Sequence, residues 1–205
     1  MGRVSWDQLE VGDAPAQTVE AVDDVVSQCD LLALTEQLGR DPRGVVAIAH
    51  RCPCGHPDVV RTAPRLPDGT PFPTTYYATC PRLTSAISTL EGQGLMRAMQ
   101  ARLAIDEGLA AAYGLAHERY LADRAELGEV AEIAGVSAGG MPTRVKCLHV
   151  LVAHSLAAGP GVNPLGDEAL AALRPWWTPT TCAHPRSDAP PSARDLSVSA
   201  PEELP

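Results

Sequence analysis

The chain has 205 residues, is 45% hydrophobic and carries a formal net charge of −9. A chain of this length can bury one sizeable core but is short for two full domains. The acidic balance excludes an overall basic surface of the kind that collects phosphates, so nucleic acid ranks last among candidate partners. Residues 1–20 lack a secretory signal pattern, and no apolar run approaches the roughly 20 residues of a membrane span. We therefore expect a cytoplasmic protein without membrane association.

The first half of the chain predicts one helix followed by a small sheet. Apolar residues recur at helical spacing over residues 18–38, and Gly39 and Pro42 end the pattern. Short runs rich in β-branched and aromatic residues follow, separated by turns rich in proline and glycine. We interpret these runs as three strands of an antiparallel meander, at residues 44–50, 58–64 and 74–80.

The second half predicts helices separated by glycine-rich turns. Pro81 and Pro142 each suit the first turn of a helix, because the N–H that proline lacks would have no partner there. Asp167 can cap a last short helix through its carboxylate. Apolar spacing predicts these helices over residues 81–90, 95–105, 109–127, 142–158 and 167–173.

The fold class that follows is α+β: a small three-stranded antiparallel meander packed against about five or six helices. We expect residues 1–40 to be an N-terminal helical extension and residues 41–175 to be a single α+β core domain. Residues 176–205 are rich in Pro, Ser and acidic residues, which predicts a disordered tail.

Four of the six cysteines predict a metal site. Inside the cell, clustered cysteines more often bind metal than form disulfides. Because each turn of a meander reverses the chain, Cys52, Cys54 and Cys80 should share one edge of the sheet. Cys147 lies near the predicted start of the apolar helix, where the helix dipole favours a thiolate. Four sulfurs suit either zinc or an iron–sulfur cluster, and ligand count does not separate the two.

Other arrangements of these residues stay open. Only Pro53 separates the first two cysteines, where zinc sites usually have two residues, and a free cysteine can simply be a small buried hydrophobe. His50 and His56 bracket the turn and could bind the metal or support its ligands. Cys29 and Cys182 are expected to be incidental, since one lies on the N-terminal helix and the other in the tail.

The glycine-rich loop at residues 132–141 predicts an anion site. Exposed N–H groups at a helix N-terminus, together with positive charge in its first turns, attract a phosphate or a carboxylate. The alternative is that the glycines serve only to turn the chain. The residues predicted to bind the anion are Gly139, Gly140, Arg144 and Lys146.

Two residues are candidates for catalysis. Glu132, at the start of the loop, could act as an acid or a base, although a single glutamate is more often solvated. His154 returns to the helical face of Cys147 and could line a neighbouring pocket. His149 lies about 200° around the helix from Cys147 and is expected to face away from it.

Six segments carry long motifs, among them the Arg-Cys-Pro-Cys-Gly turn: residues 51–55, 63–74, 79–81, 132–142, 144–149 and 154–170. Together they resemble the actinobacterial family known as domain of unknown function 501, from about residue 41 to residue 173. The resemblance implies no assigned activity, and the family's genes tend to lie near a septum-formation initiator gene, which is association rather than mechanism. The family's motifs contain Cys52, Cys54, Cys80 and Cys147 but neither Cys29 nor Cys182.

These observations lead to two hypotheses from different classes. The first is a cysteine-ligated metalloprotein, with iron–sulfur or zinc, that is an enzyme for a small anionic substrate held beside the metal. The second is a non-catalytic binding or scaffold module, in which a structural metal site supports a surface for a protein partner linked to cell division.

Overall fold

A computed structural model of the chain describes residues 25–177 together with Cys182 and Ala183. Within these residues, three strands and six α-helices form an α+β fold, which confirms the predicted class. A short 3-10 helix spans Ala131–Ile133. The elements are, in chain order, α1 (Gln28–Leu38), β1 (Val45–Arg51), β2 (Pro57–Thr62), β3 (Tyr76–Ala78), α2 (Pro81–Gly92), α3 (Leu95–Leu103), α4 (Glu107–Ala125), α5 (Leu148–Ala158) and α6 (Pro164–Ala172).

The sheet is the predicted antiparallel meander, with strand order β1, β2, β3. Ile48 of β1 lies opposite Val60 of β2, and Val59 of β2 lies opposite Ala78 of β3. All six residues of β2 are buried, because helices cover both faces of the sheet. Val60 packs with Leu34 of α1 on one face, whereas Val59 joins the main core on the other.

Helix α5 is the central helix of the fold. Eight of its residues are buried, and it contacts the sheet as well as α2 and α6. Gly166 of α6 lies directly against it, since a Cβ at that position would be 2.2 Å from the carbonyl oxygen of Leu151. Glycine therefore permits the two helices to pack at this short distance.

Two helices begin at caps that apolar spacing did not reveal. Helix α1 begins at Gln28, because Ser27 and Asp30 form a capping box in which each accepts a hydrogen bond from the other's N–H. The structure describes residues 25–27 as non-helical, so the helix predicted from residue 18 was wrong for these three residues. Helix α6 is capped by Asn163, whose Oδ1 accepts the N–H of Gly166 at 3.0 Å, so the predicted cap Asp167 was wrong and lies inside the helix.

The helix predicted to open at Pro142 begins six residues later, at Leu148. The N–H of Lys146 donates to the carbonyl oxygen of Gly139 at 2.8 Å, which closes a turn rather than a helical repeat. Cys147 is the N-cap residue, with extended backbone angles (φ −154°, ψ 111°). The predicted helix start was therefore wrong, and Cys147 lies outside the helix.

Residues 1–24, 178–181 and 184–205 lie outside the described part of the chain. The start of the predicted N-terminal helix and most of the predicted disordered tail fall there. Four residues of that tail are described, Trp176, Trp177, Cys182 and Ala183, and Ala183 is buried, with 2% of its surface exposed. Among the helices that the structure describes, none combines the length and the apolar character needed to cross a membrane.

Candidate metal centre

The turn between β1 and β2 presents the first two thiols. The N–H of Gly55 donates to the carbonyl oxygen of Cys52 at 2.8 Å, and the N–H of Cys52 donates to that of His56 at 2.9 Å. Gly55 has φ +89°, a conformation that glycine adopts without strain. The turn is therefore tight and well hydrogen-bonded, with Cys52 buried and Cys54 half-buried.

Cys182 joins these two cysteines. The Sγ atoms of Cys52, Cys54 and Cys182 all lie within 4.8 Å of one another. Cys54 and Cys182 are 128 residues apart in sequence, and their sulfurs are 3.4 Å apart. The described part of the C-terminal segment therefore lies directly against the hairpin turn.

Cys80 supplies a fourth thiol beside this group, although it is not among the sulfurs that all lie within 4.8 Å of one another. It follows β3 and is the N-cap residue of α2, and its side chain is fully buried. The Cys80 thiol interacts with that of Cys182, and this interaction raises the pKa of Cys80. We call Cys52, Cys54, Cys80 and Cys182 the four-cysteine cluster.

The four-cysteine cluster is supported by a side chain of α1. Gln37 Nε2 donates to Cys182 Sγ at 3.3 Å and to the carbonyl oxygen of Pro57 at 2.8 Å. N–H groups directed at sulfur favour the thiolate form and orient metal ligands. His50, which was a candidate ligand, is instead paired with the buried Asp58, with Nδ1 and Oδ1 2.6 Å apart.

The thiols of the cluster control one another's protonation. The hydrogen bond with Cys182, followed by burial, raises the pKa of Cys80. The hydrogen bond with Cys52 contributes most to raising the pKa of Cys182 to about 12. Burial raises the pKa of Cys54, but N–H groups of Cys182 and His56 and the thiol of Cys52 outweigh it, so this pKa is lowered overall. A cation would allow all four sulfurs to ionise together.

Cys147 lies in a second group, with Glu91 and His149. The Nδ1 atom of His149 is 3.8 Å from Cys147 Sγ and 3.3 Å from Glu91 Oε1. The expectation that His149 faces away from Cys147 was wrong, because it assumed that both residues belong to one helix. We call these three residues the Glu-Cys-His cluster.

The Glu-Cys-His cluster also shifts the protonation of its members. Burial raises the pKa of Cys147, but the hydrogen bond with His149, the N–H of Val150 and the charge of His149 together outweigh burial and lower it overall. The same hydrogen bond is the main reason that the pKa of His149 is raised to about 9, against the opposing effect of burial. Glu91 adds an attractive charge on His149.

The four residues predicted to bind an anion lie in the turn before α5: Gly139, Gly140, Arg144 and Lys146. The N–H groups of the two basic residues donate to the carbonyl oxygens of the two glycines, at 2.9 and 2.8 Å. The first N–H of α5, that of Leu148, donates to Glu91 Oε1 at 2.8 Å. These backbone donors are engaged within the protein, and a carboxylate of the protein itself lies at the positive end of α5.

The two residues predicted as catalytic occupy different environments. Glu132 is exposed, and its two carboxylate oxygens accept hydrogen bonds from Arg65 at 2.8 and 2.7 Å. His154 is fully buried, stacked on Tyr76 at 5.7 Å and edge-on to Tyr120 at 5.1 Å between ring centroids. Burial lowers the pKa of His154 to about 4. Glu132 thus forms a surface ion pair, and His154 is a residue of the core.

Sequence reasoning named Cys52, Cys54 and Cys80 but missed Cys182 as their neighbour. The structure does not place Cys147, the fourth predicted ligand, in the same group. The only sequence signal for Cys182 was the Cys-Ala-His triplet at residues 182–184, which its Pro-rich surroundings outweighed. No sequence signal linked Glu91 to Cys147.

Fold and cysteines together define a small α+β protein with a cluster of thiols that could hold a metal ion. A family model described as protein of unknown function (DUF501) matches residues 48–171. The chain belongs to this family, and Cys182 lies beyond the matched residues. No curated protein and no solved structure matches the chain.

Proposed function

We propose that this protein is a zinc protein in which the four-cysteine cluster binds one structural metal ion. The observation that carries the proposal is the convergence of Cys52, Cys54 and Cys182 within 4.8 Å, from segments far apart in sequence. Free thiols gain little from such crowding, whereas a metal ion stabilises several thiolates at once.

The spacing of the sulfurs favours a single ion over an iron–sulfur cluster. Zn–S bonds of about 2.3 Å in a tetrahedron hold the sulfurs about 3.8 Å apart. The observed 3.4 Å between Cys54 and Cys182 is near this value. In a four-iron cluster each thiolate binds a different iron, so the sulfurs lie farther apart than they do around one ion.

The surroundings favour a structural role over a catalytic one. Cys52 and Cys80 are 2% and 0% exposed, and four sulfurs would fill a tetrahedral zinc ion and leave no position for a substrate. The ligands come from the hairpin turn, the start of α2 and the C-terminal segment. The ion would therefore hold these three parts of the chain together.

Elemental analysis of the full chain, purified without oxygen, tests this proposal. We expect zinc in the purified protein, and we expect Cys54→Ser and Cys182→Ser each to lose one equivalent. The matched control is Cys29→Ser, which removes an exposed thiol of α1 and should retain all the zinc. Circular dichroism of each variant before analysis separates loss of a ligand from loss of fold.

Two results would contradict the proposal. Iron with inorganic sulfide and visible absorption would replace the single ion by a cluster. Full zinc content in folded Cys182→Ser protein would remove Cys182 from the ligand set.

A further inference from the structure

The Glu-Cys-His cluster is built by two helix ends that meet. Glu91 lies near the end of α2, Cys147 caps the start of α5, and His149 is the second residue of α5. One ligand atom from each residue lies within 4.8 Å of the other two. All three side chains are partly exposed, with 27% for His149 and 23% for Glu91.

The hydrogen bonds of His149 determine which of its nitrogens is free. Nε2 lies 3.1 Å from the carbonyl oxygen of Thr84, which can only accept, so Nε2 carries a hydrogen. The hydroxyl of Ser88 lies 3.4 Å from the same nitrogen. Nδ1 is therefore the nitrogen that faces Cys147 and Glu91, and its lone pair becomes available to a metal ion when the second proton of the imidazolium leaves. A backbone carbonyl on the far nitrogen is also the usual support of a metal-bound histidine.

Three donor atoms that face one another require a proton or a metal ion between them. A thiolate, a carboxylate and a nitrogen lone pair would otherwise repel. Glu91 is held in place, because its Oε1 atom accepts the N–H of Leu148 at 2.8 Å. The cluster is thus ordered by helix packing and does not depend on flexible side chains to assemble.

The distances match a tetrahedral transition-metal ion. Zinc bonds of about 2.0 Å to nitrogen and oxygen and about 2.3 Å to sulfur imply roughly 3.3 Å between N and O and roughly 3.6 Å between N and S. The observed separations are 3.3 Å for His149 to Glu91 and 3.8 Å for His149 to Cys147.

We propose that Glu91, Cys147 and His149 form a second metal site, which binds a divalent transition-metal ion of the zinc class and leaves one coordination position open. Three protein ligands with partial exposure are the arrangement of zinc sites that also bind water or a substrate. The open position would take water or an anionic oxygen ligand. This site is independent of the structural ion proposed above, since the two share no ligand.

Metal stoichiometry of the full chain tests this second site. We expect two equivalents of zinc after equilibrium dialysis, and one equivalent in Cys147→Ser and in Glu91→Gln. The glutamine variant keeps an oxygen that can accept the N–H of Leu148, so the start of α5 should remain intact. Cys29→Ser is the control and should keep both equivalents.

Cobalt substitution assigns each equivalent to its site. Charge-transfer absorption from thiolate to Co²⁺ should be strong for the four-cysteine cluster and weak for a site with one sulfur. One equivalent that is lost in Cys182→Ser and kept in Cys147→Ser would overturn the second site and leave the first intact. One equivalent with the opposite dependence would support the second site and overturn the first.

A measurement on the unmodified protein does not depend on whether a variant folds. Iodoacetamide alkylation of the native protein, read by peptide mass spectrometry, reports how accessible the Cys147 thiolate is. We expect added zinc to slow alkylation of Cys147 at least tenfold relative to the metal-free protein. An equal rate with and without zinc would show that a proton, as in a Cys–His ion pair, occupies the site instead.

Discussion

The two cysteine-containing clusters share one structural feature but differ in their donor atoms and in their burial. In each, a cysteine is the N-cap residue of a helix, Cys80 for α2 and Cys147 for α5, although neither side chain makes a capping hydrogen bond. The four-cysteine cluster then adds three more sulfurs, one of them from a distant segment, and is largely buried. The Glu-Cys-His cluster has three different donor atoms from two adjoining helices and stays partly exposed. The same local feature thus belongs to a largely buried cluster in one place and to a partly exposed cluster in the other.

The largest expected effect comes from breaking the four-cysteine cluster. Cys182→Ser should lower the free energy of unfolding by about 5 kcal/mol or more, because binding of a structural metal contributes directly to folding. Cys147→Ser should lower it less, by about 1–3 kcal/mol, since that side chain is only partly buried and the variant loses only the free energy of zinc binding at an open site. Urea denaturation in the presence of zinc measures both. Equal losses in the two variants would remove the distinction between structural and open sites.

The second expected effect is a loss of folding stability at acid pH, caused by the buried His154. The pKa of buried His154 is lowered to about 4, whereas an unfolded histidine titrates near 6.5. The unfolded state therefore takes up a proton first, and stability falls as the pH drops from 6.5 towards 4.

The size of this acid effect is on the order of 3 kcal/mol. Replacing the imidazole in His154→Phe should remove it, while metal release at low pH affects both proteins alike. Stability of the two proteins is compared by denaturation at several pH values. A difference between them that does not vary with pH would mean that His154 titrates normally in the folded protein.

The smallest expected effects separate the supports of the two clusters. Gln37→Leu removes the N–H that points at Cys182 and should weaken zinc binding at the four-cysteine cluster about tenfold. Ser88→Ala removes a hydroxyl beside His149 and should weaken only the Glu-Cys-His cluster, by less than tenfold. Competition with a zinc chelator measures both affinities. An effect of either change on the opposite cluster would show that the two sites are coupled.

Much of the fold was predictable because its signals are local. Short runs of β-branched and aromatic residues between Pro- and Gly-rich turns identified the three strands, and the meander in turn placed Cys52, Cys54 and Cys80 at one edge. The start of α5 was not predictable in this way. Pro142 is a good first residue of a helix, but a hydrogen bond from Lys146 to Gly139 closes a turn there instead.

The later start of α5 also explains why Cys147 and His149 were wrongly predicted to face apart. Helical geometry applied to Cys147 and His149 places their side chains on opposite faces. With Cys147 in extended conformation before the helix, its sulfur turns back towards His149. An error of six residues in a helix boundary was enough to hide a cluster of three possible metal ligands.

The sequence by itself determined the α+β class, the meander, the tight turn that carries Cys52 and Cys54, and membership of a family without an assigned activity. Periodicity and turn chemistry act over a few residues, so one sequence is enough to see them. Only the tertiary structure decided that Cys182 joins the first cluster and that Glu91 joins Cys147. Those pairings depend on which segments pack together, 128 residues apart in the case of Cys54 and Cys182, and local patterns contain no record of such contacts.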